Sequence, residues 1–164
     1  ALTGEVPEGK AVLRSTAHAG DLIAVTGVLG GSFPTAHHLT FTPRVREGGI
    51  LAASGLVTAM MDLSDGLASD LRHILDRSGV GAEVEVERIP VAPGADVRTA
   101  ACAGEDYKLL LTTAPEAAER LAADFRIRFG TPLHPIGRIT SGPGLVWLRN
   151  GKPEPLDWHG FEHY

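Results

Sequence analysis

The sequence predicts an α+β protein whose central sheet is mixed. Stretches with the two-residue period of strands alternate with stretches at helical spacing along the 164 residues. The Asn150-Gly151 pair lies between two strand-like segments and predicts a tight hairpin, because both residues accept the positive φ values of a primed turn. A hairpin adds an antiparallel pair, so the sheet is not expected to be purely parallel. Nothing divides the chain into two cores, and residues 1–164 are expected to form a single domain.

The first predicted strand and helix lie before residue 56. Residues 22–26 (LIAVT) are apolar and rich in β-branched side chains, which favours a buried strand that ends at Gly27. The glycine-rich stretch 27–32 is predicted to be a turn, since it lacks the lysine of a phosphate-binding loop. Thr42-Pro43 could begin a helix, with proline at its first position, and Gly55 could end it.

A strand followed by a helix is predicted for residues 60–79. Met60–Leu63 is short and apolar, as a buried strand is. From Leu67 onward the apolar side chains recur at helical spacing, and Gly79 is expected to end this helix. The other face of the helix carries Ser69, Asp70, Arg72, His73, Asp76 and Arg77. That polar face is expected to lie away from the core.

The second half of the chain is predicted to hold strands around one helix. Ala82–Val86 alternates apolar and acidic residues like a half-exposed strand, and Tyr107–Thr112 is a more apolar one. Thr113 and Glu116 have the spacing of a capping box with proline just inside, which predicts a helix start. The two arms of the expected hairpin are residues 145–149 and the segment from Lys152 onward.

Composition excludes several classes of protein. The net charge is −5 and the basic residues are scattered singly, so no basic stripe is present to follow a nucleic-acid backbone. No apolar run approaches the roughly 18 residues of a membrane span. The single Cys102 cannot form an internal disulfide, and a reducing cytoplasm is the expected compartment.

The start of the chain resembles a connecting segment. Residues 1–20 are polar and lead into the first strand, while residues 21–164 are expected to hold the folded domain. The chain begins with Ala1 rather than methionine. We therefore expect a further domain upstream, although removal of an initiator methionine before a small residue would give the same first residue.

The most informative motif is the stretch 62–67 (DLSDGL), at the predicted strand-to-helix junction. Asp62, Ser64 and Asp65 offer three hard oxygen ligands of the kind that magnesium prefers alongside phosphate oxygens. The helix N-terminus behind Gly66 offers free N–H groups and a positive dipole end. In the alternative interpretation, Ser64 or Asp65 only caps the helix. A second acid before the cap is not needed for capping, which favours a cation site.

A second candidate is Glu105, within the stretch 104–107 (GEDY) before the Tyr107–Thr112 strand. Loops at strand ends commonly meet ligands, although a solvated turn would have the same pattern. At the C-terminus, Trp158, Phe161 and Tyr164 form an aromatic tail that is expected to pack on its own domain in preference to stacking on a ligand.

The adjacent His37 and His38 are not expected to share a metal ion. On an extended strand they would point to opposite faces.

Five motifs in this order resemble those of the thiamine-monophosphate kinases, a family of the aminoimidazole-ribonucleotide synthetase superfamily. They are residues 20–27 (GDLIAVTG), 42–45 (TPRV), 62–67 (DLSDGL), 104–107 (GEDY) and 156–164 (LDWHGFEHY). The resemblance runs from about Gly9 to the last residue and covers the family's C-terminal half. It implies an α/β sandwich with a mixed central sheet flanked by helices.

The resemblance also implies a role for each motif residue. Asp62 and Asp65 would bind Mg²⁺, Ser64 would contact ATP, Glu105 would contact thiamine monophosphate, and Phe161 would stack on it. In the family, the N-terminal half carries most of the ATP site, further magnesium-binding acids and the interface of a homodimer. This half of the enzyme alone is therefore expected to be inactive.

Two departures from the family pattern concern the substrate. Members carry a helical insertion where this chain has only residues 33–41, and they usually have Gly-Gly-Glu-Asp-Tyr-Glu where this chain has residues 103–108 (AGEDYK). Lys108 thus reverses a charge. Two alternatives to a thiamine-phosphate kinase stay open: another ATP-dependent member of the superfamily, acting in hydrogenase maturation or in selenophosphate or aminoimidazole-ribonucleotide synthesis, and a non-catalytic ligand-binding domain.

Overall fold

The structure, a computed structural model, describes residues 4–160 and contains one mixed seven-stranded sheet within them. The strands are β1 Leu22–Val25, β2 Val57–Asp62, β3 Gly81–Glu85, β4 Leu109–Thr113, β5 His134–Thr140, β6 Gly144–Arg149 and β7 Lys152–Glu154. Their order across the sheet is β2-β4-β1-β5-β3-β6-β7. Every pairing between named strands is antiparallel except that of β3 with β6. The predicted α+β fold with a mixed sheet is confirmed.

Helices cover both faces of this sheet. They are α1 Ser32–Thr35, α2 His37–Thr40, α3 Val45–Ser54, α4 Leu67–Ser78, α5 Val97–Cys102 and α6 Pro115–Phe129, with a 3₁₀ turn at Val86–Arg88. None of the helices within residues 4–160 is long and apolar enough to cross a bilayer.

The alternation of side chains along the strands divides the core into two layers. Ile23 and Val25 of β1 belong to a cluster that includes the buried stripe of α4, whereas Ala24 between them belongs to a cluster with Leu121 and Phe125 of α6. Since successive strand residues point to opposite faces, α4 and α6 lie on opposite sides of the sheet. The structure is the α/β sandwich that was expected.

The strongest local signals in the sequence predicted their elements well. Helix α4 runs from Leu67 to Ser78 and ends at Gly79 in the left-handed conformation, as expected. The hairpin turn has φ of 51° at Asn150 and 71° at Gly151, which confirms the predicted primed turn.

Three local predictions were wrong. Helix α3 begins at Val45 instead of Thr42-Pro43. The N-cap of α6 is Ala114 without a side-chain bond, because the hydroxyl of Thr113 donates instead to the carbonyl oxygen of Leu56. His37 and His38 lie on the short helix α2, not on an extended strand. In each case a tertiary contact or a short turn overrides the local pattern.

The segment before β1 runs along the edge strand β2. The amide of Met60 donates to the carbonyl oxygen of Leu13, and the hydroxyl of Thr16 donates to the carbonyl oxygen of Thr58. Unpaired backbone groups on an edge strand favour association with other chains. These two bonds satisfy part of that edge and fix β2, whose last residues lead into the 62–67 motif.

Strand β5 contains a glycine that the fold requires for close approach. A Cβ on Gly137 would overlap the carbonyl oxygen of Glu83 and would lie 2.9 Å from the Cα of Val84 on the neighbouring strand. At Gly142, an exposed position just after β5, nothing lies within 4 Å of such a Cβ.

We expect Gly137→Ala to destabilise the protein by about 2 kcal/mol, because the added methyl must push two central strands apart. The melting temperature would then fall by roughly 4 to 8 °C in thermal unfolding followed by circular dichroism. Gly142→Ala is the matched control and should melt like the wild type. Equal melting temperatures for the two variants would contradict this account of the β3–β5 contact.

Candidate active site

Backbone hydrogen bonds join the loop after β2 to the segment before β4. The amide of Leu63 donates to the carbonyl oxygen of Lys108 at 2.8 Å, and the amide of Tyr107 donates to the carbonyl oxygen of Leu63 at 2.8 Å. The amide of Glu105 donates to the carbonyl oxygen of Ser64 at 2.7 Å. Two motifs about forty residues apart in sequence therefore lie side by side.

These two segments line a cleft of about 600 Å³. Its lining residues are Phe33, His38, Ser64, Asp65, Ala103, Glu105 and Tyr107. Three of the predicted site residues, Ser64, Asp65 and Glu105, thus share one concave surface. Asp62 is exposed at the end of β2 and is not among the lining residues. Phe161, which was predicted to stack on the substrate, lies outside the described residues.

The wall of this cleft formed by residues 104–107 has an unusual backbone. Glu105 and Tyr107 have φ of 58° and 49°, a left-handed conformation that side chains disfavour. Gly104 packs so closely against the loop after β2 that a Cβ on it would lie 2.6 Å from the carbonyl oxygen of Ser64. Such conformations persist where the surroundings impose them, and they concentrate at functional sites.

The side chains of Glu105 and Tyr107 hold each other in place. The phenol of Tyr107 donates to Oε2 of Glu105 at 3.0 Å, and this bond is the main cause that raises the pKa of Tyr107. The ring of Tyr107 also stacks on Phe41, with centroids 4.0 Å apart and planes 13° from parallel. An oriented carboxylate and a packed aromatic ring therefore face the cleft together.

The N-cap of helix α4 is Gly66. Neither Ser64 nor Asp65 therefore occupies the N-cap position that the alternative interpretation assigned to them. Glycine is needed at this junction because its φ is 102° and a Cβ would lie 3.0 Å from the backbone of Cys102.

Asp70 supports the loop of the candidate site, a contact that the sequence analysis missed. It was assigned to the polar face of α4, but its side chain is completely buried. Oδ2 of Asp70 accepts the backbone N–H of Asp65 at 3.0 Å, so this carboxylate holds the loop. The sequence did contain a signal for this burial. Asp70 lies three residues after Leu67 and four before Ile74, so it shares their buried stripe on the helix.

Burial and neighbouring charge shift the ionisation of Asp70. Loss of hydration on burial raises its pKa to about 6, and the negative charges of Asp65 and Asp62 act in the same direction, against the opposing effect of the Asp65 N–H. A cation near these carboxylates would favour their ionised forms. The oxygen donors of Asp62 and Asp65 thus fit a hard divalent ion such as Mg²⁺.

The acid next to Glu105 has a structural role. Asp106 is buried, and its Oδ2 accepts the backbone N–H of Gly30 at 2.8 Å. Burial raises its pKa, while the amide of Gly30 opposes that shift. The glycine-rich stretch 27–32, which was predicted to be a turn, is irregular backbone that includes a bridge between Leu29 and Val91. The bond from Gly30 to Asp106 anchors this segment, which leads into α1 and the cleft residue Phe33.

Lys108 is not among the residues lining the main cleft, and it lines a second cleft of about 290 Å³. The residue is 9% exposed, and its Nζ lies 3.4 Å from Nε2 of His37. Burial lowers the pKa of Lys108, and the positive charge of Arg44 adds to that effect. Burial and Lys108 also lower the pKa of His37. The carboxylates of Asp106 and Glu47 oppose that shift in the pKa of Lys108, so the charge that departs from the family pattern is partly compensated.

Comparison with known families identifies the class of this protein. Residues 14–147 match the family model described as AIR synthase related protein, C-terminal domain. The chain belongs to this family.

Several relatives of this chain are thiamine-monophosphate kinases. The kinase of Salmonella typhimurium (strain LT2) is 37% identical over 98% of this chain and 58% of its own length. A crystal structure of the enzyme from Stenotrophomonas maltophilia K279a is 30% identical, with a TM-score of 0.77 over 91% of this chain and 56% of that one. A third relative, solved as AaThiL complexed with AMPPCP and TMP, is 27% identical, with a TM-score of 0.72 over 93% of this chain and 54% of that one.

These matches confirm the resemblance to the C-terminal domain of thiamine-monophosphate kinase. The chain spans little more than half the length of the relatives it matches.

We expect Lys108→Met to leave the free energy of unfolding unchanged or to raise it by about 1 kcal/mol at neutral pH, because methionine fills similar space without a buried charge. In the wild type, the unfolded chain binds more protons between the lowered pKa of Lys108 and its ordinary value. Wild-type stability should therefore rise with pH across that window, and the advantage of the variant should shrink.

Urea unfolding of wild type and variant at several pH values measures this difference. Lys10→Met, at an exposed lysine, is the control and should show no pH-dependent change. A loss of stability in Lys108→Met that persists at high pH would contradict the conclusion that the buried charge of Lys108 destabilises the fold.

Proposed function

We propose that this chain is the substrate-side domain of a thiamine-monophosphate kinase, which transfers the γ-phosphoryl group of ATP to thiamine monophosphate and forms thiamine diphosphate. The main support is the convergence of Ser64, Asp65 and Glu105 on one cleft in a chain 37% identical to such a kinase. A related kinase was solved with the ATP analogue AMPPCP and with TMP. The nucleotide and acceptor classes assigned to this chain follow from those relatives.

The reaction requires little general acid–base catalysis. The acceptor is a phosphate that is already ionised at neutral pH, so no strong base is needed to activate it. The rate then depends on holding the two phosphate groups in line and on neutralising their charge. Oriented carboxylates and hydroxyls, as found around this cleft, meet that requirement when they act with a cation.

Each side chain has a role in this scheme. Asp62 and Asp65 would hold Mg²⁺, which neutralises phosphate charge when it is bound. The hydroxyl of Ser64 would donate to a phosphate oxygen of ATP. Glu105, fixed by Tyr107, would orient the positively charged thiamine moiety, and Phe161 would stack on it. Asp70 keeps the loop in position through the Asp65 amide.

The remaining parts of the proposed enzyme lie outside this chain. Because the chain spans 58% of the Salmonella kinase, we assign most of the nucleotide site to a further, N-terminal domain. Homodimerisation of the complete enzyme belongs to the same proposal, as does a cytoplasmic location.

The isolated 164-residue chain should therefore show no thiamine-phosphate kinase activity, because one half of a phosphoryl-transfer site cannot align donor and acceptor. Incubation with ATP, Mg²⁺ and thiamine monophosphate, followed by chromatography for thiamine diphosphate, tests this. Magnesium-dependent product formation by the pure chain would show that the nucleotide site is complete within it.

In the complete enzyme, we expect Asp65→Asn to lower kcat on the order of 100-fold or more, because a neutral amide cannot replace a carboxylate beside the polyphosphate and its cation. The fold should remain intact, with a change in unfolding free energy of about 1 kcal/mol or less and a melting temperature within a few degrees. Steady-state kinetics across magnesium concentrations provides the measurement.

The control for that variant is Asp76→Asn, which removes the same charge from an exposed position on helix α4. It should turn over like the wild type. Normal turnover of Asp65→Asn at limiting magnesium would remove Asp65 from the proposed site.

A further inference from the structure

Three potential metal ligands lie together at the start of helix α4. Asp65, Asp70 and His73 each offer a ligand atom, and these atoms all lie within 4.8 Å of one another. Asp70 and His73 are three residues apart on one helix and so project from the same side. The backbone bond from Asp65 to Oδ2 of Asp70 brings the third residue to that side.

A second, independent observation concerns the other oxygen of Asp70. The side chain is completely buried, and Oδ1 has no hydrogen-bond partner among residues 4–160. Buried carboxylate oxygens normally accept hydrogen bonds, because a buried oxygen without a partner loses its hydration and gains no interaction in exchange. A cation bound beside it would satisfy the oxygen.

We propose that Asp65, Asp70 and His73 bind a divalent first-row transition-metal ion. Two carboxylates and one imidazole are the donor set that suits such ions, whereas Mg²⁺ favours oxygen ligands alone. Ligand distances near 2.1 Å place neighbouring donor atoms about 3 Å apart. His73 is exposed, so rotation of its side chain can close the remaining distance while the buried Asp70 stays in place.

This site shares Asp65 with the proposed kinase site but does not depend on the kinase reaction. Asp65 also lines the main cleft, so its carboxylate would connect the bound ion to that surface. His73 is not among the residues lining the cleft. Substitution of His73 therefore tests the metal site while leaving the predicted substrate contacts intact.

The experiment is a Co²⁺ titration of the 164-residue chain by isothermal calorimetry, with proton NMR of the histidine ring N–H signals. We expect one ion per chain and a hyperfine-shifted imidazole N–H signal. His73→Ala should fold normally, since the position is exposed on a helix, and should lose at least tenfold in Co²⁺ affinity together with the shifted signal. Mg²⁺ should displace Co²⁺ only in large excess.

The matched control is His18→Ala, at an exposed histidine whose ring lies near Asp21 at the start of β1. It should bind Co²⁺ like the wild type. Unchanged Co²⁺ affinity in His73→Ala would overturn the proposal, as would an equal loss in His18→Ala. If Asp65→Asn abolished Co²⁺ binding while His73→Ala bound Co²⁺ like the wild type, the metal site with His73 would be wrong. The proposed role of Asp65 in the kinase would then stand.

Discussion

The pairing of β2 with β4 is the constraint on which the site depends. The two strands run antiparallel, with Asp62 opposite Leu109, and the ladder continues past the sheet through Leu63 and Lys108. Because these bonds are made by the backbone, they fix the loop of residues 63–66 against residues 103–107 without help from the polar side chains of the site. A slip of one residue would reverse the side-chain directions and separate Ser64 from Glu105.

Much of the fold was predictable because long, regular segments carry their own signals. The bounds of α4 follow from its apolar spacing and from Gly79, and the hairpin follows from Asn150-Gly151. The short helices α1, α2 and α5 and strand β5 were not foreseen. The short elements have too few residues for a period to emerge, and β5 contains Pro135 and Gly137, which weaken a strand pattern.

The site was only partly predictable, for a different reason. Asp62, Ser64, Asp65 and Glu105 were predicted because acids and hydroxyls at strand ends indicate ligand chemistry, and three of them line one cleft. The burial of Asp70 was missed, because an acid on a helix is normally assigned to the solvent side. The helical spacing of Asp70 indicates burial, but the loop that folds over it cannot be predicted from that spacing. The pairing of Lys108 with His37 likewise joins segments 71 residues apart.

The hairpin of β6 and β7 lies at the opposite edge of the sheet from β2. Five strand positions separate β4 from β7, roughly 24 Å at the usual spacing between strands. The turn at Asn150-Gly151 is exposed, and both of its residues have positive φ. A fluorophore or an affinity tag attached at this turn would leave the cleft accessible, which makes this edge suitable for immobilising the protein in ligand-binding measurements.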